Sequence, residues 1–323
     1  MVIPAATSEQ DAYRAATERC ALVDRSERGK LALTGAEAKE FLQGQVTNDI
    51  EGLVPGGGCY AAFLTHKGKM LGDLRVLDAG DELLLDCERV ALQELFSMIR
   101  RFKLGRAVEL HKRTVEHGLL SLIGPAARAV AGAADLPDAE HAHRAGLVGE
   151  IGVRLIGTDL GVDVLCESAD TERVAAALMG AGAVPAGEAA AEIRRVETGR
   201  PRYGRDLDDT VIPQEAGLNA RAVSFEKGCY VGQETVARLY FRGKPNRHLR
   251  GLRLSGPAAP GDPLRKGERE VGRLGSVVES PRHGPIALAL VRREAEPGAT
   301  VAVGDDDGAT GVVVELPFST AAR

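Results

Sequence analysis

The segment with most chemical character is Phe225-Glu226-Lys227-Gly228-Cys229-Tyr230-Val231-Gly232-Gln233-Glu234. Two glycines bracket a cysteine and a tyrosine, and glycine permits positive φ and close backbone approach. Lys227 stands two positions from Cys229, where a cation favours the thiolate, the form of cysteine that attacks and ligates. The bland alternative is a cysteine packed in a turn before a helix, the commoner fate of a free thiol, with Gln233 and Glu234 facing water.

Three further segments carry candidate chemistry. Glu197-Thr198-Gly199-Arg200-Pro201-Arg202-Tyr203-Gly204-Arg205-Asp206, with Ile212 to Leu218 after it, places a charged residue at a helix end and then a Gly/Pro/Tyr loop. Rigid elements present ligand contacts in this way; the alternative is a surface loop of solvated charges. In Lys67 to Val76, Asp73 stands in a strand between apolar neighbours. A carboxylate held there can accept a proton or bind a ring N–H, unless it merely faces water on a hairpin. Arg238, Arg242, Lys244, Arg247 and Arg250 form a basic strip that includes Tyr240 and Phe241, with no acidic residue between 235 and 261. Such a strip suits an anionic tail or single-stranded RNA, or else is the polar face of a linker. Phosphate-loop, serine-elbow and His-Glu-x-x-His motifs are absent. The seven histidines show no ligand spacing, and His141 and His143 read as part of a polar loop.

The elements that must position these residues alternate quickly. Residues 8–23 read as an amphipathic helix with Ser8 as N-cap. A strand follows at Lys30–Leu33, and Thr34-x-x-Glu37 then matches a capping box for a helix through Phe41, Leu42 and Val46. Cys59–Leu64 and Met70–Leu77 are strands joined by a turn at residues 66–69. Glu82–Cys87 is a strand, Val90–Phe102 a helix and Arg106–Leu110 a strand. Beyond 118, strands at 119–123, 151–156 and 161–166 are interleaved with helices near 125–134, 170–181 and 188–198. Recurrent hairpins favour mixed or antiparallel sheets over a doubly wound parallel sheet. After Pro245 the chain is rich in Gly, Pro and short β runs, with no helix-length period, and reads as a small β-barrel.

Composition sets the outer limits. The chain has 323 residues, with 44% hydrophobic and 27% charged, enough for two or three domains and a large core. Its net charge is 41 − 46 = −5, and aromatics are 4% with no Trp. Both features argue against direct nucleic-acid binding. Five scattered cysteines without a Cys-x-x-Cys pair suit reduced thiols in a cytoplasmic setting and give no self-contained metal site. No apolar run is long enough for a membrane span, and residues 1–20 lack a signal-peptide pattern.

Lys227 to Glu234 resembles Lys-Gly-Cys-Tyr-x-Gly-Gln-Glu, the signature of the YgfZ branch of the aminomethyltransferase-like (GcvT-like) folate-binding superfamily. The segments Phe41 to Asp49, Lys67 to Val76 and Glu197 to Leu218 follow in that family's order. The resemblance implies an α+β fold: a three-domain cloverleaf of two α+β domains and a C-terminal β-barrel around a central folate-binding opening. The expected divisions are 1–50 with 118–244, an inserted domain at 51–117, and a barrel at 245–323. It implies tetrahydrofolate or a one-carbon derivative as cofactor, with contacts at Asp73, Glu197, Tyr203, Tyr230 and Gln233 and a glutamate tail met by Arg238 and Arg242. Cys229, supported by Lys227, is then the working thiol of an accessory factor for iron–sulfur cluster assembly or repair. The partners are iron–sulfur client enzymes, including tRNA-modifying ones, or assembly proteins. One departure matters: aminomethyltransferases resemble a pattern with Asp-Asp where this chain has Gly72-Asp73. The alternative function is therefore a folate-dependent aminomethyltransferase or demethylase acting on a small amine, with Asp73 catalytic.

Overall fold

The computed structural model describes residues 8–304 and 309–319. Helix α1 (Glu9–Glu18) is capped by the Ser8 side chain, which accepts from the Asp11 backbone N–H. The helix ends well short of residue 23, because Cys20, Ala21, Leu22 and Val23 are buried in succession. A one-sided helix would leave some of them wet, whereas a strand covered on both faces buries them all. They enter strand β1 (Ala21–Asp24), followed by β2 (Gly29–Thr34) and α2 (Ala38–Gln43). The expected capping box does not form. Thr34 Oγ1 lies 2.8 Å from His111 Nε2, Glu37 pairs with Arg106, and α2 starts without a side-chain cap.

The next segment holds β3 (Gly58–Leu64), β4 (Met70–Asp78), β5 (Leu83–Cys87), α3 (Leu92–Phe102), β6 (Glu109–Lys112) and β7 (His117–Ile123). Then come α4 (Ala127–Val130), β8 (His143–Val148), β9 (Ile151–Thr158), β10 (Gly161–Glu167), α5 (Thr171–Gly180), β11 (Val184–Pro185) and α6 (Glu188–Glu197). The strands make two sheets, a five-stranded one in the order β3-β4-β5-β2-β6 and a six-stranded one in the order β11-β1-β7-β10-β9-β8. Only β11 pairs in parallel with its neighbour β1; the other pairings described are antiparallel. The five-stranded sheet draws β2 from upstream of residue 50. Ala32, Leu77, Leu84 and Ile156 pack the two sheets against each other. Strand β8 includes His143 where a polar loop was expected, and both His141 and His143 are buried.

Short α7 (Asn219–Ala222) and α8 (Gln233–Arg242) precede the β-rich end. There β12 (Arg247–Leu254), β13 (Pro263–Lys266), β14 (Arg269–Ser280), β15 (Gly284–Arg292), β16 (Thr300–Val303) and β17 (Ala309–Val314) close a six-stranded barrel. Its core is aliphatic, with Leu252, Leu264, Leu274, Val291, Val303 and Val313 inside. Closure leaves no open sheet edge.

The chain divides into two compact units. The first comprises 1–64, 71–191 and 221–231, and the second 65–70, 192–220 and 232–323. Among the described residues no helix is long and apolar enough to cross a membrane.

Candidate functional site

In the first unit the arms of one hairpin, β3 and β4, bring Tyr60 and Asp73 together. The Tyr60 hydroxyl donates to Asp73 Oδ2 at 2.6 Å, and the other carboxylate oxygen has no hydrogen-bond partner among the described residues. Asp73 is buried, so the solvated reading of this position is wrong. Burial raises its carboxyl to about 6, against the opposing effects of the Tyr60 bond and the Arg28 and Arg221 charges. Burial, reinforced by the Asp73 charge, pushes Tyr60 well above its ordinary range, so it stays a proton donor. Arg221 lies over the Tyr60 ring at 4.3 Å and is itself paired with Glu140. These side chains wall a cavity of about 150 Å³, together with Arg28, Ser121 and His141.

The backbone next to Asp73 leaves no room for a side chain at Gly72. A Cβ at Gly72 would lie 2.6 Å from the Phe63 ring and 2.7 Å from Ala91 Cβ. Phe63 is fully buried and cannot yield that space cheaply.

The second cluster is the cysteine loop. Of the five cysteines, Cys229 is the one classed as exposed; Cys20, Cys87 and Cys166 are buried and Cys59 is intermediate. Burial pushes Cys20 up to about 11 and Cys59 to about 12, and raises Cys87 further still. The packed-cysteine reading therefore fails at Cys229. The expected pairing of Lys227 with Cys229 is also corrected. The Lys227 ammonium donates to three backbone carbonyls, Gln43 (2.5 Å), Val46 (2.8 Å) and Asn48 (2.8 Å), and its charge acts on the half-buried Cys59. With all three protons used in this way, Lys227 is an anchor for the loop. Burial brings its ammonium down to about 8. The aromatic ring of buried Tyr230 lies 5.2 Å from the Lys227 Nζ, and Val231 N–H donates to the Gly44 carbonyl.

Residues 43–50 join the two clusters. Thr47 Oγ1 donates to the Ala222 carbonyl at 2.6 Å and accepts from Ala62 N–H at 2.9 Å. The Asn48 amide donates to the carbonyls of Tyr60 (2.8 Å) and Arg221 (3.2 Å). Gln43 closes the loop from inside, accepting from Ile50 N–H and donating to Asp49. Two short polar side chains thus hold together three stretches far apart in sequence.

In the second unit Glu197 ends α6. It is buried, accepting from Ser280 Oγ at 2.6 Å and pairing with Arg194, so the solvated-loop reading fails there. Tyr203 is half-buried, Gln233 begins α8 after the left-handed Gly232, and Arg238 and Arg242 are exposed on α8. The basic strip is weaker than its sequence suggests. Glu215 holds Arg247 with two bonds, and Glu315 lies 3.3 Å from Arg250. Carboxylates distant in sequence thus cancel part of a field that looked free of acids.

His141 is unusual. Its backbone is left-handed, with φ 70°, and is pinned by its N–H to Gly157 and by His143 N–H to Gly56. For a residue with a side chain this conformation costs about 1–3 kcal/mol. Both ring nitrogens lack a hydrogen-bond partner, and burial first, then the Arg75 charge, brings the imidazole down to about 3.

Sequence reasoning missed Tyr60, Arg221, Arg28 and His141. A tyrosine and an aspartate in the two arms of a predicted hairpin were the available signal for Tyr60. The arginines reach the cavity from other elements, where no local spacing marks them.

Residues 4–227 match the family model described as GCVT N-terminal domain, and residues 247–318 match the one described as CAF17, C-terminal beta-barrel domain. Among curated proteins, the chain is 29% identical over 328 residues to "Putative transferase At1g60990, chloroplastic" from Arabidopsis thaliana, covering 98% of this chain and 75% of that one. Among solved structures, the glycine cleavage system aminomethyltransferase T from Bartonella henselae superposes with a TM-score of 0.84 at 23% identity. That match covers 96% of this chain and 89% of the other, and at that identity it establishes the fold.

Proposed function

The chain belongs to the GCVT N-terminal domain family, and from that premise we propose that it is a tetrahydrofolate-binding accessory protein that supports iron–sulfur cluster assembly or repair through Cys229. The observation that carries this reading is the exposure of that one thiol on a loop anchored by Lys227. A thiol kept for packing is covered; one kept for exchange or ligation must be reachable. Among the described residues no cluster of His, Cys, Asp or Glu could hold a metal ion. In this reading Cys229 therefore offers a single ligand, and the client or another thiol supplies the rest.

In this reading the buried Asp73 carboxyl of the first unit takes pterin ring N–H groups, Arg238 and Arg242 of the second unit are exposed cations suited to glutamate carboxylates, and Glu197 is already engaged by Ser280 and Arg194. Tetrahydrofolate supplies nitrogens that carry one-carbon units. The Tyr60 hydroxyl donates to Asp73 Oδ2, and in this reading Tyr203, Tyr230 and Gln233 add rings and an amide to the contacts. The proposed clients include iron–sulfur enzymes that modify tRNA, and the proposed compartment is the cytoplasm.

The test is complementation of a strain lacking the protein. Wild type is expected to restore iron–sulfur enzyme activities and Cys229→Ala to fail; full restoration by Cys229→Ala would reject the role of the thiol.

A second reading is a folate-dependent one-carbon transferase acting on a small amine. It is favoured by a carboxyl group held at about 6 beside a tyrosine, near the range where a general acid or base works. Carbon NMR of methylene-labelled tetrahydrofolate separates the two. Broadening without conversion supports the accessory role; conversion that disappears in Asp73→Asn supports the transferase.

A further inference from the structure

The barrel of the second unit has a polar end that the proposed function does not use. Alternate residues of a strand share a face, and on β12 the row Leu254, Leu252, Arg250, His248 begins in the aliphatic core and ends beyond it. On the neighbouring strand β15, the core residues Ala289 and Val291 lie opposite Arg250 and His248. Arg292 and Arg293 follow Val291, and Lys244 precedes β12. The Arg293 N–H donates to the Asn246 carbonyl and ties these two segments together. They wall a groove of about 620 Å³, which Glu294 and Glu296 also line. Barrel mouths are favoured places for small ligands.

Charge narrows what the groove can take. Its wall holds four permanent cations, Lys244, Arg250, Arg292 and Arg293, against two carboxylates, a surplus of two on a chain whose net charge is −5. Partners outside the wall leave that surplus unchanged, because Arg269 pairs with Glu294 at 3.0 Å and Glu315 lies 3.3 Å from Arg250. Lys244, Arg292 and Arg293 are exposed and form no ion pair among the described residues. Arg292 stands directly across from Arg247, whose own charge goes to Glu215, and like charges placed opposite each other cost stability. His248 is half-buried beside these cations. Burial, then the Arg250 charge, holds its imidazole below the ordinary value, so the ring is neutral and offers one N–H.

A single carboxylate would match only half of the surplus, and one phosphate ion is small for the space. Guanidinium forks hold phosphoryl oxygens through paired bonds, and two linked phosphoryl groups present charge to both adjacent arginines. We propose that this groove binds a diphosphate group, free or carried by a nucleotide, with Lys244, Arg292 and Arg293 as its cations and His248 as a hydrogen-bond donor. The site lies wholly within the second unit and shares no residue with the folate reading.

The test is a titration of the full chain, carrying ¹³C-labelled histidine, with pyrophosphate, ADP and citrate at about 50 mM salt, where screening is modest. Calorimetry reads the affinity and the His248 ring signal reads the place. Pyrophosphate is expected to reach half-saturation below about 1 mM and to shift His248, with citrate bound more weakly. Tighter binding of ADP would assign a nucleotide, and ADP bound no tighter would assign the free diphosphate; both keep the proposal. No saturation by about 10 mM pyrophosphate, citrate bound as well as pyrophosphate, or binding that leaves His248 unmoved would overturn it. Arg292→Gln with Arg293→Gln is expected to weaken pyrophosphate about tenfold or more. Arg100→Gln with Arg101→Gln, at the exposed end of α3, is expected to change nothing. Equal losses in the two variants would reduce the effect to general surface charge and reject the site. Because the assay contains no folate, its failure leaves the folate reading standing, and a failure of folate binding leaves this one standing.

Discussion

Replacing Asp73 with asparagine should make the protein more stable. In the unfolded chain the carboxyl ionises near 3.8, and in the folded chain at about 6. Between those values the folded protein holds more protons than the unfolded one, so stability falls as pH rises through the window, and the loss is complete above the folded value. The gap is 6 − 3.8, about 2.2 pH units, and at ~1.36 kcal/mol each it amounts to about 3 kcal/mol. Asparagine removes the charge and keeps an oxygen that can accept from the Tyr60 hydroxyl. Asp73→Asn is therefore expected to be about 2–3 kcal/mol more stable than wild type at pH 8, with the gain shrinking towards zero by pH 4. Urea unfolding followed by circular dichroism across that range measures it. Equal stability at pH 8, or a gain that persists undiminished at pH 4, would refute the argument that a buried charge at this position costs stability. A stabilising change that also abolished function would mark the carboxylate as kept for chemistry.

Other consequences are as direct. Iodoacetamide should modify Cys229 well before the other four thiols, read by peptide mass spectrometry, because burial both covers them and disfavours their thiolates. Lys227→Met removes three bonds to carbonyls and should raise backbone hydrogen exchange across residues 43–50 while leaving the barrel strands unchanged. Gly72→Asp should cost about 3 kcal/mol or more through collision with Phe63 and an added buried charge; a thermal melt matching wild type would refute this. Charge reversal at Arg238 and Arg242 should lower affinity for polyglutamylated folate more than for the monoglutamate; an equal loss for both would remove the tail contact.

The sequence carried the architecture further than the site. Apolar runs at 59–64, 70–77 and 82–87 became strands nearly as bounded, because short apolar runs between turn signals are read locally. The barrel was legible for the same reason, apart from β13, where Pro263-Leu264-Arg265-Lys266 has too few apolar residues to announce a strand. Capping at Thr34 was misread because a local motif competes with tertiary partners, and His111 and Arg106 won. The cysteine motif was visible, but the use of Lys227 was not. Its partners are carbonyls, which sequence does not distinguish, and they come from a helix end more than 170 residues earlier.

That long separation bears on how the protein is made. Lys227 meets carbonyls 184, 181 and 179 positions upstream, and Thr47 meets Ala222 at a separation of 175. The loop at 43–50 therefore leaves the ribosome long before the segment that fastens it. Contacts this distant in sequence form late, since loop closure must precede the bonds that reward it. Until residue 227 has been synthesised, the Gln43, Val46 and Asn48 carbonyls have only water for partners. The nascent chain thus passes through a stage with both sheets available and the cysteine seat unfinished, and the exposed Cys229 is presented only once the structure that holds it is in place.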